Sequence, residues 1–108
     1  MEKFSFLSIR QPVWEVELPG GTVLHVQQPT QGQAARIQAM YADIGSLKEK
    51  EQGHRVYDAA AVMLSNNEEG ITLTGKELNT RYHITDWMLL EFVKQYHAFI
   101  EEIKGTKN

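Results

Sequence analysis

The sequence contains no cysteine, which excludes disulfide bonds, thiolate zinc sites and thiol nucleophiles. It also lacks any run of the ~20 apolar residues that cross a bilayer. In the opening stretch MEKFSFLSIRQP, the apolar segment is too short and too often interrupted by polar residues for a signal peptide. These absences predict a cytoplasmic protein without membrane contact.

A basic cluster is also missing. The formal net charge is -3, and the 11 Lys and Arg residues are scattered along the chain. Nucleic acid is therefore not predicted as the main partner. The middle of the chain could nevertheless fold as a helix-turn-helix, so a small nucleic-acid-binding regulator is the alternative hypothesis. That alternative needs a basic recognition helix, for which Ala59–Ser65 and Trp87–Ile103 are poor candidates.

Catalytic and metal-binding motifs are absent as well. The four histidines stand apart without HExxH spacing, and no glycine motif would cradle phosphate. The carboxylate pairs lie in runs typical of solvated surface. The sequence therefore predicts no enzyme activity, no cofactor and no metal. A small hydrolase stays a minor hypothesis, and it requires a pocket that holds His54 or His83 beside a carboxylate.

All three prolines, Pro12, Pro19 and Pro29, fall within the first thirty residues. Val13–Leu18 and Thr22–Gln27 alternate apolar and polar residues around Pro-Gly-Gly, which predicts a β-hairpin. Phe4–Ile9 could add a third strand. The remaining chain, free of proline, is open to helix formation.

Two hairpin registers are conceivable. A two-residue Gly-Gly loop would place Val16 opposite His25 and mix charged with apolar residues on one face. A three-residue loop with a glycine bulge instead pairs Trp14 with Val26 and Val16 with Leu24, giving one apolar face. We prefer the three-residue loop, which also sets His25 opposite Glu15 as an exposed pair.

Helical patterns follow the hairpin. Thr30 and Gln33 have capping-box spacing, and a helix is predicted to about Lys50, weakened at Gly45. Gln52-Gly53 is predicted to break the chain before a helix over His54–Ser65, which Ala59-Ala60-Ala61 narrows so that a neighbour can approach. Later elements are a short helix with a Thr74/Glu77 capping box, and a long helix over Ile84–Lys104 capped by Thr85 or Asp86.

The predicted fold class is α+β, one domain over residues 1–108. Its parts are a β-hairpin, or a three-stranded sheet, in residues 1–28 and three to four helices in residues 30–104. Gly105 is expected to end the last helix, and residues 106–108 to fray.

The last helix carries the most informative pattern. One buried face is predicted, formed by Leu89, Val93, Tyr96, Ile100 and Ile103. Met88, Phe92 and Phe99 widen this face to roughly 140° at about 100° per residue, more than one contact needs. Trp87 lies on the other side, where we expect it to pack under the Ile71–His83 loop or else to bind a partner. The candidate partner-binding residues are Trp87, Met88, Phe92, Tyr96 and Phe99.

Three stretches in this order resemble small tail assembly chaperones of long-tailed phages and prophages. They are VELPGGTVLHVQQPTQGQAARI, LSNNEEGITLTGKEL and ITDWMLLEFVKQYHAFIEEI, covering roughly residues 15–104. The family's Tyr-x-x-Phe falls on Tyr96 and Phe99. The Gly45 interruption and the segment Met1–Gln11 depart from the family pattern.

The resemblance implies a non-enzymatic protein of the bacterial host cytoplasm. Such chaperones coat the helical tape-measure protein and keep it soluble until tail tube subunits displace them. Many self-associate, and many exist in two lengths through a ribosomal frameshift, of which this chain would match the short form. The expected partners are thus the tape-measure protein, the tail tube protein and further copies of the chain.

Overall fold

The computed structural model describes residues 1–105, so the expected fraying of residues 106–108 lies outside the described residues. A β-hairpin leads into four α-helices, an α+β arrangement as predicted. The elements are β1 (Val13–Glu17), β2 (Val23–Gln27), α1 (Gln31–Tyr41), α2 (Glu49–Ser65), α3 (Gly75–Thr80) and α4 (Asp86–Gly105).

The hairpin has the preferred register, with Trp14 opposite Val26 and Val16 opposite Leu24. The Leu18 N–H donates to the Thr22 carbonyl at 2.7 Å and so closes the three-residue loop. Gly20 and Gly21 in that loop have φ angles of 105° and 100°. Residues with a Cβ rarely adopt such angles, so the loop requires glycine.

The expected third strand is wrong. Phe6–Ser8 forms a single 3₁₀ turn, and the sheet within residues 1–105 has only β1 and β2. The turn is stabilised locally, because both the N–H and the hydroxyl of Ser8 donate to the Ser5 carbonyl, at 3.2 and 2.8 Å. Because the Ser8 hydroxyl occupies a backbone carbonyl that a neighbouring strand would otherwise bind, it favours a turn over a β-ladder.

The first helix begins at the predicted capping box, where Thr30 and Gln33 exchange hydrogen bonds of 3.2 and 2.8 Å. It ends at Tyr41 rather than near Lys50, which corrects the expectation. The chain leaves the helix because Gly45 weakens it and Ser46 donates to the Asp43 carbonyl, at 2.8 Å. Ile44–Ser46 then forms a 3₁₀ turn.

The predicted break at Gln52-Gly53 is also wrong, since both residues lie inside α2. A mid-helix glycine costs only about 1 kcal/mol relative to alanine. Glu49 and Glu51 offset part of that cost, because the helix dipole favours negatively charged side chains in the first turn. The prediction of a break gave Gly53 too much weight, because it did not compare the small cost of one glycine with the stabilisation from the carboxylates.

The core lies around α2. Ala59, Ala60 and Ala61 are buried, and the N-terminus of α3 approaches this helix closely. A Cβ on Gly75 would clash with the Asp58 carboxylate and lie 3.0 Å from the Asp58 backbone nitrogen. Gly75 therefore permits the close approach. One hydrophobic cluster joins the hairpin to the helices, with its largest fully buried side chains at Leu24, Met63, Leu78, Leu89 and Val26.

Candidate interaction surface

The start of α4 is held in place by the loop that precedes it. His83 has a φ of 53°, a left-handed conformation at the chain reversal after α3. The Ile84 N–H donates to the Leu78 carbonyl at 2.9 Å. The Tyr57 hydroxyl donates to the Ile84 carbonyl at 2.6 Å. Burial and the nearby Asp86 raise the pKa of Tyr57, so its hydroxyl stays protonated as a donor.

Thr85 provides the cap of α4, one of the two residues that the sequence offered. Its Oγ1 accepts from the Met88 N–H at 3.3 Å, and its carbonyl accepts from the Leu89 N–H at 3.0 Å. Asp86 supplies a carboxylate in the first turn, where the helix dipole favours negative charge. The first two turns are thus well anchored even though their outer side chains meet solvent.

Three of those outer side chains are apolar, and we call Trp87, Met88 and Leu90 the apolar patch, in which Met88 and Leu90 lie on either side of Trp87 around the helix. Trp87, Met88 and Leu90 are 71%, 44% and 53% exposed, respectively. The expectation that Trp87 packs under the Ile71–His83 loop is wrong, since the loop leaves the indole uncovered. Leu90 was not among the predicted site residues, although its position three residues after Trp87 puts both on one helix face.

One face of the second half of α4 is covered, and the cover reaches back to Phe92 in the first half. The Trp14 ring of β1 stacks on Phe92 at a centroid distance of 5.4 Å and on Phe99 at 5.9 Å. Tyr96 lies 6.5 Å from Trp14 and 6.1 Å from Phe92. We call these four rings the aromatic cluster. Phe92 is half-buried, while Tyr96 and Phe99 keep only 3% and 9% of their surface exposed.

Two predicted partner-binding residues are therefore interior. Tyr96 and Phe99 hold the hairpin against α4 and offer little surface to another molecule. Burial raises the pKa of Tyr96 to about 12, so its ring stays neutral near neutral pH. The sequence analysis assigned Phe99 to partner binding, because helical periodicity does not reveal that Trp14 of a distant strand covers it. Trp87 and Met88 remain as accessible candidates.

An apolar groove of about 390 Å³ opens beside the patch, between the turn end of the hairpin and the start of α4. Its lining includes Val16, Leu18, Ile84, Leu89, Met88 and Phe92, with one carboxylate, Glu17. Met88 belongs to both the groove and the patch, so the groove adjoins the patch on the Met88 side. Such a surface suits an apolar side chain inserted from a partner.

The residues of the enzyme hypothesis do meet in one place. His54 and Asp58 line a cleft of about 400 Å³ with Lys76. All three side chains are exposed, so solvent screens them and no apolar envelope surrounds them. Within residues 1–105, no group of three or more His, Asp or Glu is placed to hold a metal ion.

His25 sits between two carboxylates on the polar face of the hairpin. Its Nε2 lies 3.3 Å from Glu15, the predicted cross-strand partner, and its Nδ1 lies 2.6 Å from Glu69. The His25 backbone N–H also donates to Glu69, at 2.7 Å. The Glu69 hydrogen bond raises the pKa of His25, and the backbone donor lowers that of Glu69. This contact ties the hairpin to the loop after α2.

The basic residues of α4 offer no row for tracking phosphates. Lys94 lies 3.5 Å from Glu91, and Lys104 lies 3.6 Å from Glu101. The recognition helix that the nucleic-acid hypothesis requires is thus not matched by this helix. Separately, none of the helices in residues 1–105 has the length and apolarity to cross a membrane.

The geometry describes a small α+β domain that exposes apolar side chains at the start of its longest helix. Comparison with known proteins adds no relative to this description. No family model, curated protein or solved structure matches the chain.

Proposed function

We propose that this protein is a tail assembly chaperone of long-tailed phages or prophages. It binds the tape-measure protein, without enzymatic activity, and keeps it soluble in the host cytoplasm until the tail tube protein assembles. The observation that carries the proposal is the exposed apolar patch of Trp87, Met88 and Leu90 beside the apolar groove. The ordered resemblance of the three sequence stretches names the partner.

The chemistry of the surface supports a partner that must later be released. The patch offers wide apolar contact, which is non-directional and roughly proportional to buried area. A single copy would therefore bind weakly. Many copies along a long helical chain would bind strongly together, because each added contact benefits from the others. Growing tail tube could then displace the copies one at a time.

The patch also suits a helix rather than an extended strand. It lies on α4, and a second amphipathic helix could place residues spaced by three and four against Trp87 and Leu90. The backbone of α4 is already paired within the helix, so the patch offers apolar side chains in place of a strand edge.

Co-expression with a fragment of the tape-measure protein from the same genome tests the proposal. The fragment is expected to be insoluble alone and to co-elute with this chain on size exclusion. Trp87→Ser combined with Leu90→Ser should abolish the complex, because it removes most of the patch. Val23→Thr is the matched control, since Val23 is also an exposed apolar residue but lies on the hairpin.

An insoluble fragment in the presence of the folded chain would refute the proposal. So would a complex that survives the double substitution at Trp87 and Leu90. The genome supplies an independent check, since a very long helical reading frame is expected just downstream of the gene.

A further inference from the structure

The segment before the hairpin, residues 1–11, is rich in uncovered apolar side chains. We call it the arm. Phe4, Phe6 and Leu7 are 69%, 80% and 97% exposed. None of them belongs to the hydrophobic cluster that joins the hairpin and the helices in the described chain. Such concentrated apolar exposure marks an interaction segment more often than an idle surface.

The arm has a shape of its own. The rings of Phe4 and Phe6 meet edge to face, with centroids 4.9 Å apart. The 3₁₀ turn at Phe6–Ser8 is closed by the Ser8 hydrogen bonds to Ser5 and by the Ile9 N–H, which donates to the Phe6 carbonyl at 3.2 Å. The result is a small apolar knob, partly ordered before it binds, which lowers the entropic cost of docking.

We propose that the arm of one copy docks in the apolar groove of a second copy. A knob that carries two Phe rings and one Leu matches an apolar recess of about 390 Å³ in chemistry and scale. The match explains two uncovered surfaces with a single contact. It does not depend on the proposed tape-measure partner.

Charge complementarity supports the second copy as the occupant. Lys3 and Arg10 flank the apolar part of the arm, and against Glu2 they give it a net charge of +1. Because the whole chain carries -3, the rest of the molecule carries -4. Glu17 lies in the groove lining. A basic-flanked arm is therefore attracted to the acidic body of another copy.

The direction of β1 favours another copy over the arm's own groove. The arm joins β1 at Val13, whereas the groove lies near Leu18, at the turn end of the hairpin. At about 3.3 Å per residue these points are roughly 16 Å apart along a strand that runs away from the arm. The arm would have to reverse at Pro12, and proline restricts Gln11 before it to extended conformations.

The expected contact is modest in size. Phe4 and Phe6 would each bury about 150–250 Å², and with Leu7 and the matching groove surface the total approaches roughly 1,000 Å². That area is at the low end for specific contacts and fits reversible association. The contact is also heterologous, because each copy gives one arm and accepts one arm.

The test uses one arm variant and one groove variant of the full chain. Phe6→Ser with Leu7→Ser removes the knob at two exposed positions. Met88→Glu places a charge in the groove. In the wild type the Thr85 N–H donates to the Met88 sulfur at 3.3 Å. The carboxylate introduced by Met88→Glu can accept this hydrogen bond and complete a capping box with Thr85, so the substitution should not disturb the fold. Leu90→Glu is the matched control, since Leu90 is exposed on α4 but does not line the groove.

Sedimentation velocity over a range of concentrations gives the readout, with thermal unfolding as a check on folding. The wild type should associate with concentration, and both variants should weaken association at least tenfold, while Leu90→Glu leaves it unchanged. A mixture of the two variants should form a 1:1 dimer and nothing larger, because only one intact arm and one intact groove meet. A wild type that stays monomeric, folded variants that associate normally, or a mixture that does not pair would each overturn the proposal.

Discussion

The two halves of α4 have nearly the same apolar content but different surroundings. In the second half, Tyr96 and Phe99 lie against the Trp14 ring, and Phe99 keeps only 9% of its surface exposed. In the first two turns, Trp87 has no comparable cover and is 71% exposed. The comparison shows that the pattern of a helix predicts where apolar residues are, while the neighbouring elements decide which of them remain available.

The hairpin lies against one side of α4. β1 covers α4 from Trp14, near its start, to Val16, where the groove opens. In the first two turns Leu89 is only 1% exposed, whereas Trp87 and Leu90 lie on other faces of the helix and remain uncovered. Apolar side chains on such outer faces are accessible without any change in conformation, which suits them to binding.

Replacing Phe99 should have the largest effect on the free energy of unfolding. Phe99→Asp would bury a carboxylate among the rings of the aromatic cluster, at a cost of more than about 4 kcal/mol. Domains of this size are stable by about 5–15 kcal/mol, so the variant should lose a large part of its stability and unfold at a much lower urea concentration. From the sequence alone, in which Phe99 was a candidate partner-binding residue, the substitution would have been expected to leave the domain folded.

Trp87→Asp is the control for that change. It introduces the same charge on the same helix at an exposed site, in the first turn, where the helix dipole favours a carboxylate. The free energy of unfolding should stay within about 0.5 kcal/mol of the wild type. Equal loss of stability in the two variants would show that the halves of α4 are not distinct.

Removing the cover itself should have the next largest effect. Trp14→Ala leaves Phe92 and Phe99 without their stacking partner and should cost about 2–3 kcal/mol, less than for a fully buried Trp because Trp14 is half-buried. Urea denaturation measures the loss, and binding of a hydrophobic dye should increase in the folded variant. No gain in dye binding would mean that the rings are covered by something other than Trp14.

A smaller effect is expected at His83, in the loop that positions the uncovered half. Its φ of 53° strains a residue with a Cβ. His83→Gly should raise the free energy of unfolding by about 0.5–1 kcal/mol, since glycine adopts this conformation without strain. His83→Ala retains the Cβ and should give no such gain. Thermal unfolding of the three proteins distinguishes the cases.

The smallest effect is expected on the polar face of the hairpin. The pKa of His25 is raised from 6.5, so its stabilising contribution is complete below pH 6.5 and is lost as the pH rises through the folded-state value. The pKa of Glu69 is lowered from 4.5, so its contribution is complete above pH 4.5 and is lost on acidification. The stability difference between wild type and His25→Gln should peak between these pH values and shrink above them. A difference independent of pH would exclude charge as its source.

Local signals in the sequence were sufficient for several elements. The Pro-Gly-Gly loop with its alternating strands predicted the register that pairs Trp14 with Val26. Both capping boxes predicted from the sequence are present, at Thr30 and at Thr74. These features depend on neighbours within a few residues or on a single alternating face, which is why they can be read directly.

Features that depend on distant residues were missed. Glu69 belongs to one of the carboxylate pairs that we interpreted as solvated surface, but it binds His25 across 44 positions of sequence. The Asn66 side chain donates to the Gln27 and Gln28 carbonyls at 3.2 and 3.0 Å, across 39 and 38 positions of sequence. Composition and spacing carry no information about such partners.

Short-range sterics and hydrogen bonds set the α+β class, the hairpin register, the helix caps and the apolar face of α4, so these features could be predicted from the sequence. The folded chain was needed to show that α2 runs through Gly53, that Phe99 is interior, and that Trp87, Met88 and Leu90 remain outside. Burial depends on which surfaces meet, and that is settled by the packing of the whole chain.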